Sequence, residues 1–357
     1  IEGERHRTGV SGLVVGQEEL FQRWRSYNED FIDFDVQFDK SFNPFGERLV
    51  SGRLIYGIDG SNTTAAYVAD DRTENLTTGA VTTSDSAGFF FANSDTLRLD
   101  GFAQLEIGFL DDRLIVTPGL RYSYTRITPD PQDSYGEVAG FEPTETSWSD
   151  WLLALSILYK VTDEVSVYAA YGEGFKTPTA QQLYTSVPGT SFDQVPNPDL
   201  KPESVKSYEI GARADLGWGA FSLTGFYSDY DDFIAGFQFV PGPDPMKLYI
   251  TSLNLSSLKV FGVEASAEIE AYDNLYLRTA LSWTKADQIP SEGADEIAWN
   301  SAQPFKAVNG IRYEAPGLGI GVELIHTFEA GFKRAAGQAD PTAPNSQPVR
   351  VLAPFPP

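Results

Sequence analysis

Apolar and polar residues alternate with a period of two along most of the chain, the pattern of a strand with one oily and one wet face. In the stretch LRLDGFAQLEIGF one parity reads Leu97, Leu99, Gly101, Ala103, Leu105, Ile107 and Phe109, and the other Arg98, Asp100, Phe102, Gln104, Glu106 and Gly108. After LDDR the return run places Leu114, Val116, Pro118, Leu120, Tyr122 and Tyr124 opposite Ile115, Thr117, Gly119, Arg121, Ser123 and Thr125. The two runs predict a hairpin whose arms are each about 11 residues long, twice the ~5–6 of an ordinary soluble strand. The same figure recurs in four more pairs: 151–159 with 165–171, 208–216 with 221–227, 261–269 with 275–283, and 311–313 with 320–324.

The connections between these runs sort into two kinds. Tight turns are expected near residues 45, 112, 163, 217, 272 and 316, and long polar loops rich in Pro and Gly over 59–96, 126–149, 173–203, 229–258 and 285–304. Short turns at one end and long loops at the other are the signature of an outer-membrane barrel, with the long loops extracellular. Tilted strands of ~9–11 residues match the hydrocarbon core. The oily parity carries Tyr122, Trp151, Tyr159, Tyr227 and Trp283 towards its ends, where rings meet headgroups, and the other carries Arg98, Asp100, Gln104, Glu106, Arg121, Glu264 and Arg278, as a wet lumen needs. A soluble β-sandwich also alternates, but its strands are shorter and its loops are not sorted by end. The fold class expected is therefore all-β, a large antiparallel transmembrane β-barrel. Residues 1–357 form one barrel domain incomplete at both ends, for neither IEGERHRTGV nor VLAPFPP reads as a natural start or stop.

Composition narrows the partners. The 50 acidic and 26 basic residues leave a net charge of −24, a field that repels phosphate backbones and excludes nucleic acid as a partner. Cysteine is absent, so disulfides and thiolate metal sites are excluded too. No apolar run approaches the ~18 residues of a membrane helix, which says nothing against crossing by strands.

Candidate chemistry concentrates in YGEGFKTPTAQQLY, Tyr171 to Tyr184. Its glycines are not a dinucleotide fingerprint, since Thr177 stands where the third glycine belongs and Pro178 opposes a helix continuing there. Nor is Gly-Phe-Lys-Thr a phosphate loop. The segment ends an outward-running strand and leads into a loop closing on PNPDLKPESVKSYEIG.

Together, YGEGFKTPTAQQLY, NPDLKPE and YEIGAR resemble the motif pair that brackets one extracellular loop in TonB-dependent outer-membrane receptors. The hairpin SDTLRLDGFAQLEIGFLDDRLIVTPGLRYSYTRITPD and the pair NLSSLKVFGVEASAEIEAYDNLYLRTALSWTKA resemble further motifs of that family, and the spacing is most similar to its heme/hemoglobin branch. The resemblance, over about residues 30–350, implies a fragment of a barrel of about 22 strands without its plug domain. It also implies a non-enzymatic, integral protein of a Gram-negative outer membrane, bound by lipid and energised through TonB. The cargo would be heme, hemoglobin or a ferric siderophore, with cobalamin or a glycan as alternatives; heme or a ferric chelate enters as transported ligand, with no covalent cofactor implied.

Carried onto this sequence, the ligand-binding loop motifs are Phe175, Lys176, Thr177, Pro178, Tyr184, Asn197, Pro198, Asp199 and Leu200. Lys176 and Thr177 replace the family's usual Arg and Ala, and residues 179–196 lack the histidine common in heme receptors. His326 is the candidate iron ligand left, with Tyr135 and Tyr184 as alternative heme contacts. The motif has a second reading, in which Pro178, Pro196, Pro198 and Pro202 stiffen the loop while Asn197 and Asp199 cap its turns.

Phe89 to Phe91 would grip an apolar ligand or pack under neighbouring loops. Asp229, Asp231 and Asp232 read as a solvated acidic rim rather than a calcium site, lacking the spacing for one. Asn62 and Asn75 match glycosylation acceptors but read as ordinary loop residues. A barrel hydrolase would need a histidine beside an acid and a serine, a pattern neither histidine shows. A passive porin is the remaining class.

Overall fold

The alternating runs form one antiparallel ladder in the computed structural model, which describes residues 2–12, 18–43, 50–84, 91–131, 135–189, 191–254, 257–289, 295–299 and 305–330. Its strands are β1 (Glu2–Gly12), β2 (Glu18–Phe42), β3 (Val50–Asn75), β5 (Asn93–Phe109), β6 (Leu114–Asp130), β7 (Thr146–Lys160), β8 (Val165–Lys176), β10 (Glu203–Asp215), β11 (Gly219–Asp231), β14 (Ser257–Tyr272), β15 (Leu275–Ile289), β17 (Lys306–Ala315) and β18 (Ile320–Glu329), paired in that order. Two short strands hang from its edges: β4 (Val81–Ser84) pairs with β3, and β16 (Ile297–Ala298) with β15. Outside the ladder, β9 (Phe192–Gln194), β12 (Ile234–Val240) and β13 (Leu248–Asn254) make a small sheet in the order β12-β13-β9, and α1 (Ala180–Tyr184) is a single helical turn.

All five expected hairpins are present, with their turns where turn chemistry places them. Asp273 and Asn274 join β14 to β15, with Asn274 in the left-handed region at φ 62°, which its short polar side chain tolerates. Gly217 does the same between β10 and β11 at φ 79°. The turn expected near residue 45 lies outside the described residues.

Residues directly opposite one another in an antiparallel pair share a face, so register carries parity from strand to strand. Phe38, Tyr56, Ala103, Leu120 and Leu153 stand in one row, and Asp35, Asp59, Asp100, Ser123 and Asp150 in a row of the opposite parity. The loops fold back over the polar side: Tyr27, Tyr67 and Ile127, all of that parity, pack into the loop core. That side is the lumen. There Arg121 reaches Asp59 and Asp100, both at 2.6 Å, and Arg98 also binds Asp100, whose side chain is fully buried. Further round, Arg278 meets Glu268 at 2.8 Å and Glu323 at 3.4 Å.

The oily parity is uncovered. Leu153, Ile210, Leu223, Val263 and Ile311 are all more than a third exposed, which in water would be an aggregation surface and in a bilayer is the lipid contact. Rings mark its outer boundary: Tyr122 lies 4.9 Å from Trp151, Tyr171 5.1 Å from Tyr208, and Phe261 5.7 Å from Trp283, centroid to centroid.

The sequence reading needs correcting beyond this boundary. The expected loop over 59–96 is strand as far as Asn75, because β2 and β3 run 25 and 26 residues and pair from Glu19–Asn75 down to Phe42–Gly52. Strands of the other hairpins also exceed the expected length, reaching 17 residues in β5 and β6. Above the bilayer a strand keeps its backbone partners while its outer face meets water, so alternation fades although pairing continues. The other expected loops hold structure as well: α1 and β9 within 173–203, and β12 and β13 within 229–258.

Leu223→Arg, midway along β11 on the oily parity, is expected to destabilise the folded barrel by about 2–4 kcal/mol. Ser282→Lys, on the lumen parity opposite Glu264, should stay within about 1 kcal/mol of wild type. Urea titration of the full-length receptor refolded into vesicles measures both.

Candidate ligand vestibule

The Thr-Pro-Thr turn of the loop motif lands in a hollow. Thr177 to Gln181 face the lumen parity of β2, β3, β5 and β6 across a cavity of about 610 Å³, walled by Tyr27, Tyr67, Phe91 and Ile127 and edged by Glu29, Thr63, Ser94 and Thr96. A larger hollow of about 810 Å³ lies near the short turns, among Arg213, Glu268, Arg278 and Glu323. The first sits at the long-loop end, where a ligand from outside arrives first, and is the candidate site.

Local sequence explains how the motif is held. Pro178, almost fully buried, halts the strand, and Thr179 starts α1 with a reciprocal cap: its hydroxyl accepts the Gln182 amide proton at 3.2 Å and its own N–H donates to the Gln182 side chain at 2.9 Å. The expectation that Pro178 opposes a helix holds at that residue only, since α1 begins two positions later. The pattern Thr-Ala-Gln-Gln was the signal available for it.

Behind α1 lies the loop core of Phe91, Ala92, Ile127, Tyr135, Leu183, Tyr184, Leu200 and Ile234. Each large apolar side chain sealed there contributes roughly 1.5–3 kcal/mol. Tyr184 is fully buried; its hydroxyl lies 2.9 Å from the Thr144 carbonyl and 3.2 Å from that of Ile127, and its own carbonyl accepts from Tyr135 at 2.9 Å. Burial raises both phenols above the ordinary range, so both stay protonated donors. Phe91, the described member of the Phe89–Phe91 run, packs between Tyr27 and Tyr67 at centroid distances of 6.1 and 5.5 Å, under the loops and at the cavity wall. Phe89 and Phe90 lie outside the described residues.

The remaining motif residues divide by task. Lys176 binds Glu203 at 3.0 Å, and the other Glu203 oxygen accepts the Ile234 amide at 2.9 Å, tying the bases of two loops together. Asn197 accepts from the Asp199 amide at 3.2 Å and donates to the Ser252 carbonyl at 2.9 Å, fastening the loop to β13. Leu200 is buried in the core, Pro198 is half-buried, and Asp199 is exposed. Phe175 stands on the lipid-facing parity opposite Ser204. Of the nine motif positions, Thr177 and Pro178 line the cavity.

His326 is not brought to it. On β18 it stands opposite Asn309 of β17 and shares the parity of Leu324 and Phe328, on the face away from the lumen. Among the described residues no three of His, Cys, Asp and Glu gather as a metal would require. Asp232 is engaged by Lys201 at 3.8 Å, and its carbonyl by Asn254 at 2.6 Å. The residues that sequence reasoning missed are Tyr27, Glu29, Tyr67 and Thr63; all lie where β2 and β3 rise above the bilayer and alternation no longer marks a face.

With this geometry in place, comparison with known proteins is unambiguous about the class. The model of the TonB dependent receptor-like β-barrel family matches residues 5–351, and the chain belongs to that family, whose members are outer-membrane receptors and transporters. Over 248 residues, 62% of this chain and 30% of the relative, it is 25% identical to hemoglobin-haptoglobin utilization protein B of Neisseria meningitidis serogroup C. It is 34% identical over 185 residues, 49% of the chain and 26% of the relative, to the vitamin B12 transporter BtuB of Photobacterium profundum. The ferric citrate transporter FecA superposes with a TM-score of 0.60 at 16% identity, over 88% of this chain and 43% of that one. The chain thus spans about 30% of the length of the hemoglobin-haptoglobin relative.

Tyr184→Phe should loosen the loop by about 1–3 kcal/mol, because the one buried hydroxyl proton that the Thr144 and Ile127 carbonyls share is lost. Hydrogen exchange of residues 180–200 in the full-length receptor measures it, with exchange from the barrel hairpins unchanged. The phenols' contribution is complete below pH ~10, where a free tyrosine is still protonated, and declines as alkali ionises them.

Proposed function

We propose that the whole receptor, of which this chain supplies barrel wall and loops, imports an iron-bearing ligand across the outer membrane: heme or hemoglobin-borne heme first, a ferric siderophore second. The observation that carries this reading is the meeting of Thr177 to Gln181 with Tyr27, Tyr67 and Phe91 around one hollow on the lumen face. Aromatic and apolar walls of that kind suit a flat conjugated macrocycle, which binds through its faces. The hemoglobin-haptoglobin relatives support the same order of preference.

Transport of this sort is binding followed by gating. The loop roof holds the ligand, and TonB-supplied energy clears the path below, with no covalent step. A second reading rests on charge. Among the described residues of the lining Glu29 is the carboxylic acid and none is Lys or Arg, so none of them offers a cation to the propionates of heme. A corrinoid, with amides at its periphery, meets no such difficulty, and the BtuB relatives favour it.

Purified full-length receptor titrated with hemin and hemoglobin, followed by the porphyrin absorbance, tests the reading. Saturable binding is expected, and Thr177→Trp, which fills the hollow, should weaken it about tenfold or more. Saturable cyanocobalamin binding with no hemin binding would move the assignment to the corrinoid. A Thr177→Trp receptor that binds every ligand as wild type does would remove the hollow from the account.

A further inference from the structure

Arginines at a spacing of two recur on neighbouring strands where the ribbon rises above the bilayer. Arg5 and Arg7 stand on β1 and Arg23 and Arg25 on β2, and register sets Arg5 opposite Arg25 and Arg7 opposite Arg23. Residues two apart on a strand share a face, so all four occupy the parity of Tyr27, which is the lumen parity. Their Cα positions mark out a patch of about 5 by 7 Å. The acids of this ribbon stand mostly on the other parity: Glu2 and Glu4 on β1, Glu18 on β2, and Asp70 and Glu74 on β3.

One carboxylate is in register with the four. Asp71 stands opposite Arg23 and binds the Arg25 guanidinium at 2.5 Å. The next acids of this parity on β2, Glu19 and Glu29, lie four residues to either side of the arginine pair, about 13 Å along the strand. Like charges directly opposite each other destabilise a sheet, and here two such pairs stand side by side. An incoming anion offsets that repulsion, and the fork of a guanidinium matches the two oxygens of a carboxylate. The patch adjoins the hollow. Arg25 is two positions outward of Tyr27 and also meets the Tyr67 phenol, and both rings wall the hollow.

Aromatic faces thus line the hollow while cations gather at its rim, a division that suits a ligand with a flat body and an anionic edge. We propose that Arg5, Arg7, Arg23 and Arg25 form an anion subsite at the mouth of the hollow, taking the carboxylates of a macrocycle whose body lies against Tyr27 and Tyr67. In a chain of net charge −24 the patch also gives an anionic ligand local attraction where the rest of the surface repels it. The subsite rests on the heme reading above and deepens it. Among flat macrocycles it selects the carboxylate-bearing one over the amide-bearing one.

The test titrates full-length receptor in neutral-lipid nanodiscs with hemin and with its dimethyl ester, in which both carboxylates are masked. Arg25 keeps its tie to Asp71, so the variant is Arg5→Gln/Arg7→Gln/Arg23→Gln. A charge-assisted hydrogen bond is worth roughly tenfold or more in affinity. With two carboxylates, the triple variant should bind hemin about 100-fold more weakly than wild type does, and the ester equally well. Wild type should bind the ester about as weakly as the triple variant binds hemin, and its preference for hemin should shrink as salt is raised. Thr177→Trp acts on the hollow and should weaken hemin and ester by the same factor. Arg72→Gln, on the outer parity of β3, should stay within about twofold of wild type. Heat-modifiable migration on gels reports that each variant is folded. Equal affinity of wild type for hemin and ester, or undiminished hemin binding by the folded triple variant, would overturn the subsite and leave the heme reading standing. Saturable binding of neither porphyrin would overturn both.

Discussion

In hydrocarbon no water is present to satisfy a backbone N–H or C=O, and each one left unpaired costs several kcal/mol. That constraint organises everything else in this chain. It requires the unbroken ladder from β1 to β18, in which neighbour pairs with neighbour and every partner is antiparallel. It also fixes register, because a slip of one residue would turn Leu120 and Leu153 into the lumen and Arg121 and Asp100 into lipid. The period of two in the sequence is thus the imprint of a boundary condition on the backbone, written in side chains.

The lumen is where the chain places the charges that lipid forbids. Asp100 is tolerable in full burial because Arg98 and Arg121 share it. Above the bilayer the rules change again. There β2 and β3 project as a long paired ribbon, and the loops condense on its inner face through Tyr27 and Tyr67. Glu203, at the start of β10, fastens that roof to the barrel, and Asn197 ties one loop to β13 of the small sheet, so the hollow beside Thr177 is framed by fixed elements rather than by a free loop.

The membrane hairpins were legible in the sequence because lipid on one side and water on the other leave strict alternation. Where both faces meet water or other loops, that contrast disappears, and the segment from Asp59 to Asn75 reads as loop although it is strand. The site was half legible for the same reason. Thr177 and Pro178 came from a motif, but Tyr27, Glu29 and Tyr67 are distant in sequence and become neighbours through pairing of β2 with β3. Tyr184 and Leu200 belong to the motif yet are buried beneath the roof. A motif records what a loop needs to hold its shape as well as what it presents, and only packing separates the two.

The central claim is that the oily parity faces lipid and the polar parity faces water. The chain has no cysteine, so a spin label on a single introduced cysteine can be walked along β11 in a full-length receptor bearing no other. Labels at 223, 225 and 227 should collide with membrane-dissolved oxygen, and labels at 222, 224 and 228 with a water-soluble nickel chelate, alternating residue by residue. Equal accessibility of both parities to the nickel chelate, or exclusion of both reagents from positions 223 and 225, would contradict the account.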